Sequence, residues 1–419
     1  MKLLFNAICR EPFRLFFPLG ILMGVVGVSP WLFYFLGWSK TYTGFFHSSM
    51  QVLVYMSCFV TGFLTTALPR FTGTAHAKGR EILLFLIFIL GIMSFLKAGA
   101  WVLAETCYII WLVFLVWFAL KRIFRMEKST MPGELPKELL WIPVAVIHGL
   151  AGTLLLILGQ LKILPVFVIS VGKPMMEQGF LLCVVVGVGG FLIPRIMGTY
   201  APSQPPPGHD GEACSVEKTS WHSRDKTMPL YLLCAISLFL SFWLGGLGYL
   251  RAAYGVRALV ITTVFGWTRV LPKIRLSSDL HVWLAWISAW MVTLGFWMTA
   301  FFPQYRVVML HLAFIGGFSL LTFAIASMVI LSHAGAGEKL QRPLWILWVV
   351  LAGIALALTK RILLIWFPDA YFRFLGWASI SWMTAGLCWL GYMLPYVLKV
   401  PNADAFDQMH EQAKRKLKR

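Results

Sequence analysis

Residues 310–335 read LHLAFIGGFSLLTFAIASMVILSHAG, an apolar stretch with His311 near one end and His333 near the other. A separation of 22 residues corresponds to roughly 33 Å of helix, about the hydrocarbon thickness of a bilayer. At about 3.6 residues per turn, both side chains return to nearly one helix face. Ionisable side chains that border a membrane span are expensive there and usually face the interior of the bundle. One helix therefore offers a ligand-type side chain near each membrane surface.

The rest of the chain repeats the apolar pattern. Of 419 residues, 59% are hydrophobic and 13% are charged, whereas a soluble domain carries about 25% charged residues. Runs long enough to span lie near 15–36, 48–69, 82–104, 106–121, 139–161, 177–195, 229–250, 255–272, 280–302, 307–331, 344–366 and 373–398. The expected fold is all-α, a polytopic membrane helical bundle of about twelve transmembrane helices. The fourth and eighth runs are the shortest, and Lys97 in the third must snorkel.

A net charge of +19 would point to nucleic acid in a soluble chain. Here its distribution tells otherwise. With the N-terminus inside, 26 of the 36 lysines and arginines fall on inner segments. That is the positive-inside bias, which places both termini in the cytoplasm and the basic segments against anionic lipid. Seven cysteines form no CxxC and no CxxCH, which argues against covalent haem and structural zinc. Nothing at the N-terminus reads as a cleaved signal peptide.

A polar, proline-rich segment divides the chain. Residues 1–198 carry spans one to six, 199–228 form a cytoplasmic linker, 229–398 carry spans seven to twelve, and 399–419 form a basic cytoplasmic tail. Between spans five and six, residues 162–176 (KILPVFVISVGKPMM) are too short to cross and too apolar to float, which fits an interfacial or re-entrant stretch. No Walker motif, no GxGxxG in strand–helix context and no internal repeat is present.

Histidines carry the candidate chemistry. His47, His148, His281, His311 and His333 lie in spans or at their ends. His47 and His311 fall near the outer surface, where two helices could clamp a metal or haem between them. His281 and His333 fall near the inner surface, and His148 lies deeper. Met50 shares a helix face with His47, a pair suited to copper or a haem axial site. A histidine at a helix end also serves simply as an interfacial side chain. Carboxylates are scarce: Glu105, Glu177 and Asp369 fall on the outer side, and none sits in mid-span. That lowers the expectation of a cation-coupled pump. Lys360 and Arg361 close span eleven near the outer surface, where they either snorkel or meet an anion or haem propionates. Gly316, Gly317, Ser319 and Ser327 let a neighbouring helix approach span ten closely, or leave room for a flat cofactor.

Three blocks resemble a known family. They are HSSMQVLVYMSCFVTGFLTTALPRFTG from His47, the stretch from Leu310 quoted above, and EPFRLFFPLG from Glu11. GGFLIPRIMG from Gly189 is a weaker echo. All resemble the NnrS family of twelve-span bacterial inner-membrane proteins, linked to denitrification and nitric oxide–responsive expression. The resemblance implies haem and copper binding, with His47, His311 and His333 as cofactor and metal ligands; His148, His281 and Met50 stand beside them as metal candidates from their positions alone. Two departures stand out. The family's His-x-His-Glu run is here His47-Ser48-Ser49-Met50, and Met328 stands where an arginine is usual. One histidine and one carboxylate are thus missing, which weakens copper.

The leading expectation is an inner-membrane haem protein of the nitric oxide response, acting as sensor, metal handler or oxidoreductase with an unidentified redox partner. A haem–copper oxidase is set aside, because the chain has no His-His pair and no His-Pro-Glu turn. The alternatives are a cofactor-free secondary transporter for a small solute and a membrane scaffold.

Overall fold

The computed structural model describes residues 2–41, 44–125, 136–198, 226–271 and 279–399. Most of the expected linker and all of the tail beyond Lys399 lie outside them. Among the described residues no strand occurs, and ten helices are long and apolar enough to cross a membrane. These are α1 (Phe13–Phe35), α2 (Gly44–Thr72), α3 (Gly79–Lys97), α4 (Trp101–Ile123), α5 (Lys137–Gln160), α6 (Val168–Ile196), α7 (Thr227–Gly246), α9 (Leu280–Phe301), α10 (Pro303–His333) and α11 (Trp345–Leu363). Two more helices, α8 (Leu250–Trp267) and α12 (Tyr371–Leu398), stand where the eighth and twelfth spans are expected. Arg251 and Arg257 dilute the apolar character of α8.

The outward faces are apolar. Ile87, Leu103, Val113, Leu233, Leu240 and Leu259 are all more than half exposed. In water so large an apolar surface would drive aggregation, whereas in lipid it is the ordinary exterior of a helical bundle. This is a multi-pass membrane protein.

Element bounds differ from the sequence reading in two instructive places. The fourth run, expected to be short, is the full helix Trp101–Ile123. Near its start Glu105 is buried and accepts a hydrogen bond from Gln160 Nε2 at 2.8 Å. The stretch 162–176 is not separate from span six. From Val168 it is the beginning of α6, and Pro174 is carried inside the helix. Proline removes one helical N–H, and the chain answers with a π-helical turn over Met175–Gly179.

Helix contacts rest on small residues. A Cβ on Gly152 would lie 2.5 Å from Met176 N, and one on Gly172 would lie 2.6 Å from Gly152 O. Helices α5 and α6 thus touch backbone to backbone, the close approach that small residues permit in lipid. Gly152→Val is expected to lower the melting temperature of the detergent-solubilised protein, at a cost of about 1–3 kcal/mol for overpacking. An unchanged transition would contradict this packing.

Gly316 and Gly317 are used in the same way. Added Cβ atoms would meet Met291 at 3.1 Å and Val292 at 2.4 Å, so α9 fills the space beside them. Of the two readings of that glycine pair, helix packing is the one realised. The serines of α10 have a different task. Ser319 Oγ and Ser327 Oγ accept the indole N–H groups of Trp382 (2.9 Å) and Trp389 (2.8 Å) from α12. A buried indole needs such an acceptor. Helix α10 is thereby central, between α9, α11 and α12.

Candidate functional site

One cavity of about 960 Å³ lies among α2, α6, α8, α10, α11 and α12. Drug-sized or cofactor-sized ligands occupy pockets of roughly 300–1,000 Å³. Helices from both sides of the expected linker supply its walls, so neither half of the sequence makes the site alone.

The cavity borders the three π-helical segments found among the described residues: Met50–Met56 in α2, Met175–Gly179 in α6 and Leu312–Ser319 in α10. A π turn widens the helix and changes the direction of the side chains after it, and such turns concentrate at functional sites. It also alters the phase of α10. The common face expected for His311 and His333 assumes a regular helix throughout, and the π segment lies between them.

His47 and His311 both line the cavity. Nδ1 of His47 donates to the carbonyl of Gly27 on α1 at 2.9 Å. Nδ1 of His311 donates to the carbonyl of Val307, one turn back on its own helix. Arg361 Nη2 also lies 3.3 Å from that Nδ1. Because the carbonyl is nearer and guanidinium is only a donor, the Nδ1 proton belongs on Val307 O. Both rings therefore leave Nε2 with its lone pair. An imidazole whose second nitrogen is tied to a carbonyl is fixed in tautomer and direction, as metal-ligating histidines are. Trp31 packs edge-on to the His47 ring at 5.7 Å.

His333 occupies a different place, at the other end of α10. Its Nδ1 donates to Glu11 Oε1 at 2.7 Å, and Arg70 Nη1 donates to its Nε2 at 2.7 Å. Both ring nitrogens are committed while that network holds. Arg70 Nη2 also donates to Glu11 Oε1 at 2.9 Å, and Arg14 Nε to Glu11 Oε2 at 2.6 Å. Arg14 continues to the carbonyls of Val397 (2.6 Å) and Lys399 (2.8 Å). A single buried carboxylate thus ties α1, α2, α10 and the end of α12 together. Burial alone would raise the Glu11 carboxyl, but His333, Arg14 and Arg70 hold it down at about 2.

The remaining candidates lie away from the cavity wall. Met50 is fully buried in the core. His148 is buried between the rings of Phe239 and Phe242, with Nδ1 on the Val144 carbonyl at 2.8 Å. His281 is buried at the start of α9. Among the described residues, no group of three or more His, Cys, Asp or Glu side chains is arranged to hold a metal ion.

Of the charged cavity residues, the sequence singles out Glu177 and Arg361 but not Lys173, Arg257 or Arg306. Lys173, Arg257, Arg306 and Arg361 line the cavity against a single carboxylate, Glu177. Lys173 spends its charge on Glu177 and donates to Ser48 Oγ at 2.8 Å. Arg257 is 2% exposed and Arg361 is 5% exposed. A signal existed for Arg257, an arginine seven residues into α8. By sequence Arg361 is an end-of-span cation that either snorkels or meets an anion or haem propionates, and its burial in the cavity wall removes snorkelling.

A comparison with curated proteins finds no match. The model of the NnrS family, described as NnrS protein, matches residues 7–400, nearly the whole chain. This chain belongs to the NnrS family.

Proposed function

We propose that this protein binds haem in the cavity between α2 and α10 and acts in the bacterial inner membrane in the response to nitric oxide. One observation carries the proposal: two imidazoles, each anchored through Nδ1, border one large cavity. The donor set fits haem. Imidazole is a common axial ligand for haem iron, Phe314, Phe318 and Trp382 supply apolar wall, and the arginines can meet carboxylates. A dedicated copper site is less well served, since the described residues offer no three-ligand group.

Haem bound here would supply a redox-active iron centre, and nitric oxide binding would require one of the two imidazoles to give up its place. The protein's own contribution is positional. His47 and His311 would hold the iron, Gly27 and Val307 fix the direction of their rings, and the apolar walls exclude water. The sensor, oxidoreductase and metal-handling roles share this requirement.

The orientation that serves this reading puts both termini in the cytoplasm, with the inner basic segments against anionic lipid. A second reading, a permease for a small anionic solute, draws on the excess of cationic over acidic residues in the same cavity.

The test is an optical spectrum of the detergent-purified protein, oxidised and dithionite-reduced, with metal analysis on the same sample. Near-stoichiometric iron with a Soret band that shifts on nitric oxide addition is the expected result. A colourless, iron-free protein from haem-replete cells would sink the proposal and bring transport assays forward.

A further inference from the structure

Arg361 is a buried cation with no counter-ion among the described residues. Among the described residues no carboxylate forms an ion pair with it. Its Nε has no hydrogen-bond partner. Its Nη2 faces His311 Nδ1, a nitrogen already donating to Val307 O. The Tyr371 hydroxyl lies beside it and can accept from it. A guanidinium presents five N–H donors, and leaving them unmatched together with the charge is costly.

Arg257, which lines the same cavity from α8, repeats the condition. Its donors go to neutral acceptors, Gln178 Oε1 at 2.8 Å, Ser241 Oγ at 3.1 Å and Ser241 O at 3.2 Å. Its charge is left over. Phe242 and Tyr254 stack on the guanidinium at 4.0 and 4.6 Å, which softens the cost without cancelling it.

We infer that the occupant of this cavity carries an oxyanion group, which docks on the Arg361 guanidinium beside His311 while Arg257 supplies the second positive charge. A planar guanidinium matches a carboxylate or another flat oxyanion through two parallel N–H···O bonds. The chemistry admits two sources, the carboxylates of a bound cofactor or a small free oxyanion such as nitrite. The first source rests on the haem reading above; the second does not.

Three proteins separate these cases: the parent, Arg361→Gln and Arg361→Lys, each checked for folding by gel filtration and circular dichroism. Lys360→Gln is the control, because Lys360 sits one residue away and outside the cavity wall. Each is titrated with haem and with haem dimethyl ester, whose carboxylates are blocked. Each is also melted, cofactor-free, with nitrite, formate or chloride. The expected result is haem binding about 10- to 100-fold tighter than the ester in the parent, with that difference lost in Arg361→Gln, partly kept in Arg361→Lys and intact in Lys360→Gln.

Cofactor-free Arg361→Gln should melt no lower than the parent, since it removes an uncompensated charge. A purely structural arginine would give the reverse, and that result counts against the inference. If haem does not bind but nitrite raises the parent's melting temperature and not that of Arg361→Gln, the oxyanion site stands and the haem reading falls. If haem and its ester bind alike in every protein and no anion has an effect, the inference is overturned while the haem reading stands. If neither haem nor any anion binds, both fall.

Discussion

Replacing His311 with alanine is expected to cost the protein its haem, and replacing His47 to cost it nearly as much. Each substitution removes an imidazole whose Nδ1 is already committed to a carbonyl and whose Nε2 is left for the cavity. Disturbing merely the groups that orient a metal ligand costs about 10–100-fold in affinity. Losing the ligand itself should exceed that. Purification from haem-replete cells, followed by pyridine-haemochrome quantitation, reads the result directly. His148→Ala and His281→Ala serve as comparisons, since neither residue lines the cavity. Equal haem content in all four variants would remove His47 and His311 from the site.

Glu11→Gln is expected to give the largest loss of stability. The carboxylate is 2% exposed and neutralises Arg14 and Arg70 while it accepts the His333 N–H. Removing one partner of a buried ion pair leaves the other charges uncompensated, which typically costs about 3–5 kcal/mol. Thermal unfolding in detergent should show it, and adding Arg70→Gln should recover part of the loss. The same network predicts a pH dependence of known sign. A carboxyl held down at about 2 in the folded protein, against about 4.3 in an unfolded chain, contributes stability that is complete above the unfolded value. That contribution is lost as pH falls from there through the folded value. The acid limb of the stability profile should flatten in Glu11→Gln. An unchanged acid limb would show that Glu11 is not the group responsible.

These two expectations belong to opposite ends of α10 and separate two of the histidines that the sequence places together. His311 borders the cavity, whereas His333 accepts from Arg70 and donates to Glu11. A lone histidine in a sequence says that an imidazole is present near a span end. It does not say which nitrogen is free. Only the partners decide that, and for His333 they arrive from α2 and from the segment just before α1, some 320 positions away for Glu11. Met50 makes the same point. It shares a helix face with His47 in a regular helix, but the π turn that begins at Met50 and the packing of α1 leave it in the core.

The sequence by itself determined that this is an all-helical, multi-pass membrane protein. Apolar length, scarce charge and the demand that every backbone polar group in lipid be satisfied leave no other class open to it. The blocks from Glu11, His47 and Leu310 were also enough to indicate the family, and His47 and His311 were legible as candidates because imidazoles are rare and costly at such positions. What only the tertiary structure decided is the site. Three π turns, invisible to hydropathy, frame the cavity. Its charge comes from arginines on α8 and α11 whose partners cannot be read from spacing. Hydropathy is a local sum, whereas the free lone pair of a histidine and the missing counter-ion of an arginine depend on what other helices bring to the same few ångströms.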